Sequence, residues 1–454
     1  MLRTALTRQY APQRTKRVTN TKRTFYTVGG DETDYAFEMA TSNVRYGKGV
    51  TREVGKDMVH LKCSKVAVFT DKNIAKIKDG PLSKVEQSLV DNKVNYVVYK
   101  DTKVEPTDVS FKHAIKFAQD SEVDGFIAVG GGSTIDTAKA ANLYSSHPTT
   151  DFLDYVNAPI GKAKPPPGPL KPLIAIPTTA GTGSEATGIA IFDFEDMKAK
   201  TGIAHRSLKP TLGLVDVENT ATQPRSVATY AGFDVLCHAL ESYTAIPFNA
   251  RGPRPETPNV RPAYQGSNPI SDVWSLYALK ILQKYFYRAV EDPSDEEARA
   301  QMILAATYAG IGFGTAGVHL CHGMSYPVSS QLKSYTADGF DYPLIPHGLS
   351  VVLHAPAVFK FIEPARTDRV ARAAEVLGVE STQSEKSGAL SDMIVEYMQR
   401  LNVPGGLRKV GCKDDFLDNL VQGTLPQHRV TKLSPKQASP DDLHKMFVNS
   451  MDIY

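Results

Sequence analysis

The sequence predicts a chain of two unlike halves, an N-terminal α/β half built on a parallel sheet and a C-terminal half made only of helices. Three observations carry this. From about Lys62 to Pro177, short apolar runs alternate with amphipathic segments, the pattern of strands joined by covering helices. Past about Asn219 the strand signals fade and long helical periodicities take over. The 454 residues, 41% hydrophobic and 22% charged, are of ordinary globular composition and suffice for two or three domains. The expected boundaries are a basic leader at 1–30, an α/β domain at 31–218 and a helical domain at 219–454.

The leader carries seven Lys or Arg, no Asp or Glu, many Thr and no continuous apolar stretch. That composition fits a mitochondrial transit peptide better than a secretory signal, and a basic tail without a targeting role would share it. Without the leader the chain holds 45 basic and 49 acidic residues, so the overall charge of +3 is no argument for a nucleic-acid partner. No run approaches 18 consecutive apolar residues, and no membrane span is expected. Cys63, Cys237, Cys321 and Cys412 are scattered without a CxxC pair, which reads as reduced thiols.

In the α/β half, "KVAVFTD" reads as a strand, "PLSKVEQSLVDN" as a helix and "VNYVVYK" as a strand. "PTDVSFKHAIKFAQD" is a helix opening at Thr107 or Asp108. "DGFIAVGGGSTIDTAKAAN" runs from strand through glycine loop to helix, and "PLIAIPTTAGTGSE" is a strand with a polar, Thr- and Gly-rich exit. In the helical half, residues 224–245, 271–292, 294–314, 368–378 and 390–402 read as helices. Two segments interrupt the scheme: a proline-rich connection at 162–172 and an insertion at 246–269 with three arginines, longer than loops usually run without a task.

Function is concentrated in two groups of residues. In "VGGGSTID" the glycines admit a close approach to the backbone, and the free amides and dipole of the following helix attract an anion. The spacing is not GxGxxG, and a glycine turn without a ligand has the same look. Asp71, ending its strand, is placed to accept hydrogen bonds from ribose hydroxyls. Ligands of open α/β sheets bind outside the carboxyl ends of the strands, where these loops gather. Together they favour a dinucleotide, and Asp71 favours NAD over NADP. The residues expected at this cofactor are Asp71, Gly131, Gly132, Ser133, Asp136, Thr178, Thr179 and Thr182.

The second group opens with "GFDVLCHALESY", where Asp234 and His238 stand four apart on one helical face. Burying an unpaired charge is costly, and a divalent cation would offset it. "VHLCHGMSYP" and "YPLIPHGLS" supply His322 and His347, and one Asp with three neutral His suits Fe²⁺ or Zn²⁺ better than Mg²⁺ or Ca²⁺. His319 and His354 read as core residues, and Glu241, one turn beyond His238, reads as an acceptor orienting that ring or equally as a surface acid.

"VGGGSTIDTAKA", "IPTTAGTGSE", "GFDVLCHALESY", "CHGMSYP" and "PHGLS" occur in the order and spacing of the iron-containing (type III) alcohol dehydrogenases, which this chain resembles from about Tyr46 to its end. The resemblance implies an α/β dinucleotide domain and a helical domain, the fold shared with dehydroquinate synthase, with a metal in the cleft between them. It assigns Asp234, His238, His322 and His347 as metal ligands, the glycine loop as pyrophosphate site, Asp71 as ribose contact and Lys200 as a cofactor-proximal lysine. A homodimer is common in the family. Many members have Asn where this chain has Glu105, and a second His where it has Tyr326.

The leader, "KVEPTD", the insertion and "CHGMSYP" are similar to a mitochondrial branch of that family, the hydroxyacid–oxoacid transhydrogenases. That branch implies oxidation of 4-hydroxybutyrate to succinic semialdehyde, coupled to reduction of 2-oxoglutarate to D-2-hydroxyglutarate through a retained NAD. The other readings are an alcohol dehydrogenase with exchangeable cofactor; a metal-dependent lyase on the same fold, against which Asp234 and the insertion argue; and a catalytically silent metal- or nucleotide-binding protein, against which the four ligands and the glycine loop argue. Both acids carry carboxylates, for which Arg251, Arg254 or Arg261 of the insertion is the expected partner. A solvated loop is the plainer reading of the same arginines.

Overall fold

The structure, a computed structural model, describes residues 32–454; the leader expected at 1–30 lies outside the described residues. Six strands form a parallel sheet: β1 (Asn43–Tyr46), β2 (Lys65–Phe69), β3 (Asn95–Tyr99), β4 (Gly125–Gly130), β5 (Leu173–Pro177) and β8 (Leu212–Val215), in the order β1-β8-β5-β4-β2-β3. A separate antiparallel hairpin pairs β6 (Ile189–Phe194) with β7 (Ala199–Ala204). β4 and β5 are buried at every position, as continuous apolar strands covered on both faces should be.

Alternation along the strands decides which helix covers which face. Val66 and Val68 point with Ile127 and Ile174 into one layer, filled by α1 (Val54–His60) and α2 (Pro81–Asp91) through Met58, Val85 and Leu89. Ala67, Phe69, Phe126 and Ala128 face the other way, onto α3 (Asp108–Asp120) and α4 (Gly132–Ser146) through Ala114, Ala118, Ile135 and Ala138. Thr107 caps α3 in a reciprocal box with Ser110, which fixes where that helix begins.

The helical half is built on α5 (Arg225–Thr244), α6 (Pro269–Glu291), α7 (Glu296–Ala316), α8 (Leu320–Gln331) and the short α9 (His347–Val352). Asn268 caps α6 by accepting from the amides of Ile270 and Ser271, with Pro269 at the first helical position. α5 is buried without interruption from Gly232 to Thr244. An edge-on contact of Phe233 with Phe286, centroids 5.1 Å apart, ties it to α6 and is worth about 1 kcal/mol beyond area burial. An added Cβ at Gly232 would lie 2.0 Å from Phe286, so the glycine is what allows the helices to close to this distance. Among the described residues, no single helix is long and apolar enough to cross a membrane.

The parallel sheet, its helices and α5, α6 and α7 stand where the sequence pattern puts them, as do the helices Thr367–Val376 and Ala389–Arg400; α8 and α9 are not expected from periodicity. β1, β8 and the β6–β7 hairpin do not emerge from that pattern. β1 and β8 have four residues each, and the hairpin spans the polar stretch "DFEDMKAK".

Candidate active site

α5, α8 and α9 bring three imidazoles to one carboxylate. His238 Nε2 and His322 Nε2 each lie 3.5 Å from Asp234 Oδ1, and His347 Nε2 lies 3.7 Å from it. Ligand atoms of Asp234, His238 and His322 all fall within 4.8 Å of one another, while His347, at the more open edge, approaches Asp234 and has its ring centroid 5.4 Å from that of His322. Two donors each bound at about 2.1 Å to one tetrahedral ion stand about 3.4 Å apart, the spacing seen here. Asp234 Oδ1 and His322 Nε2 are buried and, among the described residues, accept or donate no hydrogen bond, which is costly unless a cation is shared between them. The donor set therefore fits a divalent ion.

Local packing explains the convergence. An added Cβ at Gly348 would lie 1.9 Å from the carbonyl oxygen of Tyr230, so only glycine lets α9 press His347 against α5. The His238 ring stacks on Phe313 at 3.9 Å and beside His322 at 4.6 Å, which fixes its plane. Burial, only partly opposed by Asp234, pushes the His238 imidazolium down to about 3, so the ring is neutral and its lone pair free. Burial works against the Asp234 carboxylate, yet His238, His347 and His322 together hold it well below the usual range.

Glu241 does not orient His238, as expected from its place one turn along α5. It reaches across to α8 and accepts from His322 Nδ1, and its other oxygen accepts from the amides of His319 and Cys321 at 2.9 and 2.8 Å. A buried carboxylate thus holds the proton of His322 on Nδ1 and turns Nε2 toward Asp234. His319 accepts from the Leu320 amide at Nδ1, which directs its Nε2 proton to Thr244 and keeps it out of the cluster. His354 is fully buried elsewhere, and all four cysteines are buried free thiols.

The same cavity, of ≈ 110 Å³, is bounded by the start of α4. Gly131 stands at the N-cap of α4 with no side-chain cap, so the first amides of the helix are left for another acceptor. Added Cβ atoms at Gly130 and Gly132 would meet Thr134 at 2.4 Å and Thr182 at 2.5 Å, so the glycines are required for the loop to pack. The Thr178 amide donates to Gly130, Thr179 lies against Gly131, and Thr182 Oγ1 accepts from the Ser184 amide. Asp136 lines the cavity but is engaged by Ser184 Oγ at 2.6 Å and the Ile191 amide at 2.9 Å. Asp71 caps a single helical turn through the amides of Asn73 and Ile74, and lines a more open cavity beside Lys103, Thr107 and Tyr342.

Two buried lysines shape the floor. Lys200 donates to Glu105 at 2.7 Å and pairs with Asp193 at 2.8 Å; despite burial, those acids raise its pKa. Glu105 stands at φ +53°, a strained position for a non-glycine residue, and its amide donates to Ser133. Lys139 is fully buried and donates to the Ser184 carbonyl, Ser184 Oγ and the Ile189 carbonyl, which holds the 184–189 turn against α4; burial lowers its pKa to about 8. Nothing in the sequence marked Lys139 or Asp193, because a lysine in an alanine-rich helix and an acid in a polar hairpin look like solvated residues. Arg251, Arg254 and Arg261 are not brought to the metal cluster. Arg251 and Arg261 pair with the buried Asp34, and Arg254 donates to the Thr33 carbonyl and lies over Tyr35.

Comparison with known proteins agrees with this geometry. Residues 41–217 match the iron-containing alcohol dehydrogenase family, and residues 263–451 match the C-terminal part of the Fe-containing alcohol dehydrogenase family. A Bos taurus protein described as hydroxyacid-oxoacid transhydrogenase, mitochondrial, is 55% identical over 430 residues, 94% of this chain and 92% of that one. A Dictyostelium discoideum protein described as a probable hydroxyacid-oxoacid transhydrogenase, mitochondrial, is 54% identical over 451 residues, 96% of this chain and 82% of that one. The solved alcohol dehydrogenase from Oenococcus oeni superposes with a TM-score of 0.80 at 24% identity, over 91% of this chain and 100% of that one, which establishes the shared fold. The chain belongs to the iron-containing alcohol dehydrogenase family.

Proposed function

We propose that this chain is a hydroxyacid–oxoacid transhydrogenase, oxidising 4-hydroxybutyrate to succinic semialdehyde while reducing 2-oxoglutarate to D-2-hydroxyglutarate through a bound NAD. The observation that carries it is the convergence of three imidazole nitrogens on Asp234 Oδ1 within the cavity that the glycine loop bounds. Relatives about 55% identical along nearly the whole chain bear that name. Asp234, His238, His322 and His347 would hold Fe²⁺ or Zn²⁺, both of which accept this donor set. The ion, when bound, supplies Lewis acidity to a substrate oxygen, and NAD takes up and returns the hydride.

The protein's own part is positioning and exclusion of water. The uncapped start of α4 binds the pyrophosphate, with Gly131, Gly132, Ser133 and Thr182 shaping its seat and Thr178 and Thr179 bracing it. Asp71 takes the ribose hydroxyls at the far end. Glu105, held by Lys200, borders the same cavity. Ile189, Ile191, Val318 and Phe313 exclude water around the reacting carbon. In this reading 31–218 and 219–454 are the two domains, the matrix is the compartment, and residues 1–30 are the leader that directs the chain there.

Mixing the holoenzyme with 4-hydroxybutyrate and 2-oxoglutarate, with no free NAD, tests the proposal. Stoichiometric succinic semialdehyde and 2-hydroxyglutarate are expected. Turnover that depends wholly on added NAD would identify an alcohol dehydrogenase with exchangeable cofactor instead.

A further inference from the structure

A substrate carboxylate brought close to the metal cluster must meet a cation, and the cavity around that cluster is lined by no Lys or Arg. Two of its lining residues, Tyr264 and Tyr326, connect it to a cation further out. Tyr326 Oη accepts from Arg429 Nη2 at 2.9 Å, and the Arg429 guanidinium lies 5.0 Å over the Tyr264 ring. Tyr264 in turn meets Phe313, the ring on which His238 stacks.

Arg429 lines a second, larger cavity of ≈ 880 Å³, with Tyr264 common to both. Six cations stand on its wall (Lys164, Arg206, Arg251, Arg261, Arg429 and Lys432) and no acid. Four are already paired: Lys164 with Asp154, Arg206 with Glu38, and Arg251 and Arg261 with Asp34. Lys432 is exposed and its charge is met by water. Arg429 is the remaining one. Among the described residues it has no carboxylate partner; the side chains of Tyr326 and Tyr264 are its neutral polar partners, and its Nη1 is buried without a hydrogen-bond partner. A guanidinium left half-satisfied in this way is costly unless an anion completes it. Tyr326 adds to this: its hydroxyl oxygen accepts from Arg429, and its own proton has no acceptor among the described residues, so it is a donor polarised by a cation.

We propose that Arg429 and Tyr326 form the carboxylate clamp of the substrate site, with Arg429 Nη1 and the Tyr326 hydroxyl donating to the acid group shared by the hydroxy acid and the oxo acid. The cationic cavity is the entry path, where a row of basic side chains raises the local concentration of anions. The insertion at 246–269 contributes to this path by shape and fixed charge, with Asp34 holding its arginines in place. This rests on the reading that both substrates are carboxylic acids.

The test separates acid recognition from the chemistry. In single turnovers the bound nicotinamide is reduced either by 4-hydroxybutyrate or by butan-1-ol, which has the same carbon count and no charge. For Arg429→Gln the second-order rate with the acid is expected to fall about 100-fold, as for two lost charge-assisted hydrogen bonds, while the rate with butan-1-ol stays within about threefold. Arg429→Lys, which keeps the charge but not the fork, is expected to lose about tenfold on the acid alone, and Tyr326→Phe about as much. Calorimetric titration of holoenzyme with 2-oxoglutarate should show the same ranking without any turnover. Equal losses on acid and alcohol, or no loss on either, would overturn the clamp. A wild-type protein that prefers butan-1-ol to 4-hydroxybutyrate would overturn the acid-substrate reading itself, whatever the variants do.

Discussion

Replacing Glu241 by Gln is expected to weaken the hold on a divalent ion about 10- to 100-fold, with the chain still folded. The reasoning follows the two oxygens of the carboxylate. Oε1 accepts from the amides of His319 and Cys321, so a glutamine must keep its carbonyl oxygen there. Its NH₂ then takes the place of Oε2 and faces His322 Nδ1. Two N–H groups cannot face each other, so the imidazole proton moves to Nε2, the nitrogen that looks at Asp234. Metal binding must reverse that tautomer against the clash, at the cost of about one buried hydrogen bond, roughly 1–3 kcal/mol. That is about one to two decades in affinity. Equilibrium competition with a chelator, on wild type and variant, measures the change, and circular dichroism shows whether the variant is folded. A folded Glu241→Gln that retains the ion as tightly as wild type would refute the tautomer argument.

Two further outcomes follow from the packing. Gly348→Ala sets a Cβ against the Tyr230 carbonyl, so it is expected to displace α9, lower stability by about 1–3 kcal/mol and weaken metal retention in the same chelator assay. Unchanged melting and retention would show that α9 yields without cost. His354 is fully buried, neither ring nitrogen has a hydrogen-bond partner among the described residues, and burial depresses its pKa from 6.5 to about 3. The folded state therefore resists its protonation: the stability linked to this ring is present in full above about pH 6.5 and is lost as pH falls toward about 3. At about pH 5 the loss is about 2 kcal/mol, so His354→Leu should narrow the difference in melting temperature between about pH 8 and pH 5. An identical pH dependence in the variant would contradict this.

The sequence carried the sheet and the long helices because they rest on repeating patterns. Runs such as "FIAV" and "LIAI" are apolar at every position only where both faces are covered, and α5 is apolar nearly all round because it is the core of its half. β1 and β8 are too short for any periodicity to show, and what makes them strands is pairing: β1 with β8 across more than a hundred residues, and β8 with β5. The polar residues divided along the same line. Asp234 and His238 were legible as a pair because four-residue spacing on a buried helix is itself geometry. Glu241 was legible as an acid one turn along from His238, but neither its burial nor its partner was, since the ring it holds comes from α8, some eighty residues on. The insertion's arginines drew attention by their number. Asp34, the partner of Arg251 and Arg261, lies more than two hundred residues away, and Arg429 sits alone in "QHRV" with no motif around it. Charge pairing across such distances is decided by the fold and leaves no local trace.

The account turns on one divalent ion shared by α5, α8 and α9. Anomalous scattering from crystals of the metal-loaded protein tests it most directly. The account predicts one peak per chain, at bonding distance of about 2.0–2.2 Å from Asp234 and the Nε2 atoms of His238, His322 and His347. A peak held by other residues, or a fully metal-loaded protein with none at Asp234, would contradict it.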